Sequence, residues 1–182
     1  MSINNAPVAR TLVHQREVIC RGYAREDGLW DIEGYLCDTK PHSVFLSDRG
    51  EVKPHEPIHE MRLCLTLDTQ LLIHDARAEM LNHPHRVCPA ITGAYRSLVG
   101  MRIGAGFLSA ARQRFRGVNG CTHLSELIGP VATTAFQALW DRLGDPGEGG
   151  RRDGWQVGGC HALRADGEIV REQFPALYRP AE

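Results

Sequence analysis

Ile58-His59-Glu60-Met61-Arg62-Leu63-Cys64-Leu65-Thr66-Leu67 alternates along its whole length. His59, Met61, Leu63, Leu65 and Leu67 share one face, and Glu60, Arg62, Cys64 and Thr66 share the other. That period of two is what a half-buried strand requires. Asp68-Thr69-Gln70 then reads as a turn and 71–80 as the next strand. Toward the N-terminus, residues 29–38 alternate in the same way, with Trp30, Ile32 and Leu36 opposite Asp31, Glu33 and Tyr35. The turn Glu26-Asp27-Gly28 precedes them, and a further strand lies within 14–25. Residues 39–57, punctuated by Pro41, Asp48-Arg49-Gly50, Pro54 and Pro57, read as a loop. Short connections between successive strands favour an antiparallel meander.

Past residue 88 the pattern becomes helical. Residues 89–98 are expected as a short helix, and 106–116 as another carrying Phe107, Ala111 and Phe115 at spacings of four. The longest helix is expected over about 122–143, with Pro130 kinking or splitting it. Gly144 to Gly154 reads as an exposed loop, followed by a closing hairpin from 155–163 and 167–171 around Asp166-Gly167. Strands first and helices later is an α+β order: one antiparallel, curved sheet from the N-terminal half, with C-terminal helices packed on one face. A single domain over 1–182, with flexible ends at about 1–10 and 180–182, is the expected organisation.

A chain of 182 residues can bury a real core. No run approaches the roughly 18 apolar residues of a membrane span, and the polar start Met1-Ser2-Ile3-Asn4-Asn5 lacks a secretory signal. A soluble, cytoplasmic protein is expected. The net charge of -1 gives no global field for nucleic acid or a membrane. Arg112, Arg114 and Arg116 splay over different sides of a helix and read as a solvated face. The expected partner is therefore a small-molecule substrate, with homo-oligomer formation left open. Cys20, Cys37, Cys64, Cys88, Cys121 and Cys160 lack an export signal to pair them, so free thiols or metal ligands are the expectation.

The sharpest chemical signal is Gly117-Val118-Asn119-Gly120-Cys121-Thr122-His123. Cys121 and His123 stand where the long helix begins, and thiolate with imidazole suits zinc or iron. His59 heads an apolar strand face, where its nitrogens need partners. Cys88 precedes Pro89 at a helix start. Together His59, Cys88, Cys121 and His123 make a Cys2His2 metal set, with His83 and His85 near enough to replace a member. Cys160-His161 is a further candidate. Cys20, Cys37 and Cys64 read as packing thiols. Glu60 points away from His59 in a regular strand, and Asp38 with Lys40 ends the second strand as a polar pair. No phosphate-binding glycine loop or Gly-x-Ser-x-Gly elbow is present.

Four segments, Gly22 to Lys40, Ile58-His59-Glu60-Met61, Gly120-Cys121-Thr122-His123-Leu124 and Cys160-His161-Ala162-Leu163-Arg164, resemble the bacterial family catalogued as domain of unknown function 2889. The resemblance runs in order from about residue 15 to 178. It marks His59, Cys88, Cys121 and His123 as positions matching family motif residues and supplies no reaction. Where the family shows Ile-His-Asp-Met, this chain has Glu60 in place of the aspartate.

The functional expectation is a metal-dependent enzyme of lyase or hydrolase type. A zinc or iron would act on a small aromatic or acyl catabolite, with Glu60 and Asp38 as proton-transfer groups. Trp30, Tyr35, Tyr95 and Phe107 would wall the ring, and Arg77 or Arg102 would hold a carboxylate. The alternatives are a closed structural zinc site in a binding or regulatory protein, and a metal-free thiol enzyme using Cys121.

Overall fold

The computed structural model describes residues 8–143, 154 and 156–180. Six strands come first: β1 Gln15–Ala24, β2 Trp30–Thr39, β3 Val44–Leu46, β4 Gly50–Val52, β5 His59–Leu67 and β6 Ile73–Asn82. A 3-10 helix, Cys88–Leu98, leads into α1 Phe107–Arg114, α2 Thr122–Ala138, α3 Trp140–Leu143 and α4 Glu168–Gln173. The architecture is α+β, with an open four-stranded antiparallel sheet in the order β1-β2-β5-β6. No helix among the described residues is long and apolar enough to cross a membrane.

The alternation read from β5 becomes burial. Met61, Leu63, Leu65 and Leu67 are buried while Arg62, between them, is exposed. In β2 the buried side runs through Ile32, Gly34, Leu36 and on to Asp38. Helix α2 turns Leu124, Leu127, Ile128, Val131, Ala132 and Ala135 into the core. It lies so close to β2 that a Cβ on Gly34 would stand 2.6 Å from Val131 Cγ2 and 3.3 Å from Leu127 Cδ2. Only glycine permits that approach at the middle of a strand.

Two elements differ from expectation. The stretch read as a loop between β2 and β5 contains the two-stranded ribbon β3–β4, whose three-residue strands are too short to show an alternation. The expected closing hairpin is absent from the described residues, which hold turns and α4 instead. A two-residue Asp-Gly hairpin turn needs positive φ at both positions, whereas Gly167 has φ -87° and sits as the N-cap of α4. Asp166 is drawn into a two-point ion pair with Arg164. The helix expected at 89–98 is present in its tighter 3-10 form, over a stretch with Pro89, β-branched Ile91 and Thr92, and Gly93. Pro130 lies inside α2, which continues to Ala138.

The chain divides into two compact units, Met1–Ala135 and Phe136–Glu182. The first unit holds the whole sheet. In the second, Val170 is buried and Gly154 meets Leu177, while Cys160 is exposed. The expected loop at 144–154 lies outside the described residues except for Gly154, which is buried. Of the ends, 1–7 and 181–182 also lie outside them.

Gly34→Val places a branched side chain against Val131 and Leu127 and should lower unfolding stability by about 1–3 kcal/mol. Urea denaturation followed by circular dichroism measures this, and an unchanged midpoint would refute the packing of α2 on β2.

Candidate metal centre

Strand register assembles the centre. In the antiparallel ladder Arg16 of β1 faces Asp38 of β2, and Asp38 faces His59 of β5. Directly opposed residues share a face, so a basic, an acidic and an imidazole side chain form one row on the buried side. Asp38 continues the apolar series Ile32, Gly34, Leu36 by one more step of two and is only 1% exposed. A carboxylate buried so deeply requires partners for its charge.

It has several. Arg16 donates Nε–H to Oδ1 at 2.7 Å and Nη2–H to Oδ2 at 2.8 Å, a two-point clamp. His14 Nε2 lies 3.3 Å from Oδ1. On Oδ2, His59 Nδ1 approaches to 3.1 Å and His123 Nε2 to 3.4 Å. The two imidazoles stack with centroids 3.8 Å apart. Arg16 also reaches Glu126 of α2, tying the edge strand to the helix that supplies His123.

The position of His123 is fixed by the turn before α2. Tyr95, fully buried, stacks on Phe115 with centroids 4.4 Å apart. Its hydroxyl accepts the Cys121 N–H at 3.0 Å and lies 2.8 Å from Ser125 Oγ and 3.0 Å from the Cys121 carbonyl oxygen. It thereby satisfies a donor that the start of a helix otherwise leaves bare. Gly120 closes the same turn, since a Cβ there would stand 2.5 Å from the Phe115 carbonyl oxygen.

The electrostatics keep both imidazoles neutral and the carboxylate ionised. Burial holds both imidazoles below the ordinary histidine value, and His59 is lowered further by the neighbouring His123. Burial pushes Asp38 upward, but the Arg16 clamp and the nearby imidazoles outweigh it, and its carboxyl titrates below the usual aspartate range. At neutral pH the site therefore presents one carboxylate and two neutral imidazoles.

Asp38, His59 and His123 are the group among the described residues whose donor atoms, all within 4.8 Å of one another, suit a metal ion. Donors bonded at about 2.1 Å to one ion stand about 3.0–3.4 Å apart in octahedral or tetrahedral geometry. The Asp38–His59 and Asp38–His123 separations match that spacing.

Of the residues singled out in the sequence, the structure brings together His59, His123 and Asp38. Cys121 lies beside them, its Sγ 3.9 Å from His123 Nδ1, the ring nitrogen other than the one facing Asp38. Cys88 begins the 3-10 helix outside the converging group. Glu60 projects from the opposite face, where it accepts hydrogen bonds from Tyr35 at 2.9 Å and Asn82 at 2.6 Å. His83 Nδ1 contacts the His85 carbonyl oxygen, and His85 lies 3.7 Å from Asp48. Arg77 sits among Asp31, Asp75 and Cys64, and Arg102 donates to the Gln70 carbonyl oxygen. Tyr95, expected as part of a substrate wall, is committed to the turn before α2. Arg16, His14 and Glu126 had no motif to mark them; their signal is register and period, with His14 just before β1 and two residues from Arg16, and Glu126 three beyond His123 on α2.

The depressed imidazoles fix the sign of a pH dependence. The unfolded chain takes up protons first as pH falls below about 6.5. The stabilisation is thus complete above that value and is lost as pH falls toward the lowered folded values; Asp38 adds a second loss only in the acid range. In chelator-treated protein, denaturation midpoints should drop more steeply from pH 7 to 5 for wild type than for a His59→Gln/His123→Gln double variant. Parallel profiles would contradict the assignment of buried neutral imidazoles.

Neither a curated protein nor a solved structure matches the chain. One family does, over residues 14–137, a span that begins at His14 and contains Arg16, Asp38, His59, Cys121 and His123. The chain belongs to the family described as protein of unknown function (DUF2889).

Proposed function

We propose that Asp38, His59 and His123 hold a divalent zinc or iron ion, and that the chain is a metal-dependent enzyme of hydrolase or lyase type acting on a small aromatic or acyl compound. The observation that carries this reading is the convergence of two neutral imidazole nitrogens on one oxygen of a buried, ionised carboxylate. Nitrogen and oxygen donors in this ratio suit first-row divalent ions. With three protein donors among the described residues, coordination positions stay open, the condition for catalysis rather than a closed structural site. Bound there, such an ion supplies Lewis acidity toward a carbonyl oxygen and a water acidic enough to ionise near neutral pH.

The surrounding residues support the donors. Arg16 keeps Asp38 ionised and oriented, and its second contact with Glu126 holds the clamp against α2. For His123 to offer its Nε2 lone pair, its proton must sit on Nδ1, the nitrogen that faces Cys121 Sγ. Cys121 then serves as the partner that fixes the His123 tautomer, in the place that a carboxylate, carbonyl oxygen or water takes around other metal-bound histidines. In this reading Asp38 is a ligand rather than a proton-transfer group. Glu60, on the other face, belongs to the Tyr35–Asn82 network.

A second reading follows from the 3.9 Å separation of Cys121 Sγ and His123 Nδ1: a metal-free thiol nucleophile with His123 as its base. Elemental analysis of chain purified without chelator, and again after zinc or ferrous reconstitution, separates the two. About one ion per chain is expected, lost in Asp38→Ala, His59→Ala and His123→Ala and kept in Cys88→Ala. Cys121→Ser should keep the stoichiometry with affinity weakened about tenfold. Metal kept in Asp38→Ala but lost in Cys88→Ala would refute the proposed ligand set, and no metal under any condition would favour the thiol reading.

A further inference from the structure

Helix α2 carries a glycine directly before its internal proline, Gly129-Pro130, where the proline ring crowds any Cβ on the preceding helical residue. Gly129 lies in mid-helix, where glycine is the least favourable residue other than proline. At Gly34 a side chain would strike Val131, and that glycine is required. At Gly129 an added Cβ would meet no atom within 4 Å beyond its chain neighbours and the helix's own backbone, and the residue is not among the positive-φ glycines. What Gly129 does border is a cavity of about 440 Å3 between α1 and the first two turns of α2. That volume is in the range of small-molecule sites. The buried side chains of Ala111, Phe115 and Ile128 give the cavity apolar walls.

Two charged groups also line it. The Glu126 carboxylate is already engaged by Arg16. Arg112 is exposed and has no carboxylate partner among the described residues. The uncompensated charge at the cavity is therefore positive, above an apolar interior. We infer that the cavity between α1 and α2 binds a compact carboxylic acid, its carboxylate on Arg112 and its apolar body against Phe115 and Ile128, in the space that Gly129 leaves open. The site uses none of the metal donors and does not depend on the metal reading. It is nonetheless connected to that centre, because Glu126 pairs with the arginine that clamps Asp38.

Titration of the 15N-labelled full-length protein with benzoate, phenylacetate and hexanoate, beside neutral benzyl alcohol, tests the inference. At least one acid should give saturable shifts at residues lining the cavity and bind more tightly than the alcohol. Arg112→Gln should weaken that acid about tenfold, the loss of one charge-assisted contact. Gly129→Leu should abolish its binding while the far-ultraviolet circular dichroism at the titration temperature stays that of the wild type, although crowding of leucine against Pro130 lowers the thermal midpoint; Gly129→Ala provides a milder obstruction. The same titration in His59→Ala should still show binding, so failure of the metal centre and failure of the cavity site remain distinguishable. Lack of saturable shifts with all three acids, or wild-type binding in Gly129→Leu or Arg112→Gln, would overturn the inference.

Discussion

The structure turns on a single buried carboxylate. Asp38 ends the core face of β2 and would be strongly unfavourable there without compensation, because removing an ionised group from water costs several kcal/mol even after the protein relaxes. Compensation comes from three directions at once: Arg16 from β1, His59 from β5 and His123 from α2. Each partner reaches Asp38 only if the strands pair in one register. A slip of one residue would turn Arg16 or His59 to the opposite face. The apolar series of β2 and β5 enforces that register, so the same alternation that builds the core also builds the centre.

Helix α2 completes the arrangement through close contact rather than through its propensity. The bare Cα of Gly34 lets Leu127 and Val131 settle on the sheet. The Tyr95 hydroxyl and the tight turn at Gly120 then set where the helix begins. His123 is the second residue of α2, so its ring position follows from those constraints. A site built from rigid strands and a locked helix start needs little rearrangement to accept an ion, and in the proposed function this preorganisation supports binding.

Much of this was legible in the sequence. Strands β2 and β5 followed from period two, β1 and β6 from the turns that bound them, and α1 from apolar spacings of four, with α2 expected in the helical stretch after Gly120. His59 stood out as a polar residue on an apolar face, and His123 as part of a glycine-bounded turn. Asp38 was marked too, but its place in the buried series appears only when Ile32 and Leu36 are extended by another step of two. Arg16 was hidden because β1 is an exposed edge strand with no apolar alternation to declare its inner face. The pairing of cysteines with the histidines drew on residue chemistry without distance information. The fold places Cys88 at the far end of the β6 connection and Cys121 on the outer nitrogen of His123. The ribbon β3–β4 and helix α4 escaped because their signals were shorter than one full period or contradicted by a single Asp-Gly pair.

X-ray absorption spectroscopy of the zinc- or cobalt-loaded protein tests the central claim most directly, because it reports the donor atoms themselves. The expected result is nitrogen and oxygen at about 2.0–2.2 Å from the metal, with the longer-range scattering of two imidazoles and no sulfur. A sulfur shell at about 2.3 Å would show thiolate ligation and contradict the assignment of Asp38, His59 and His123 as the metal donors.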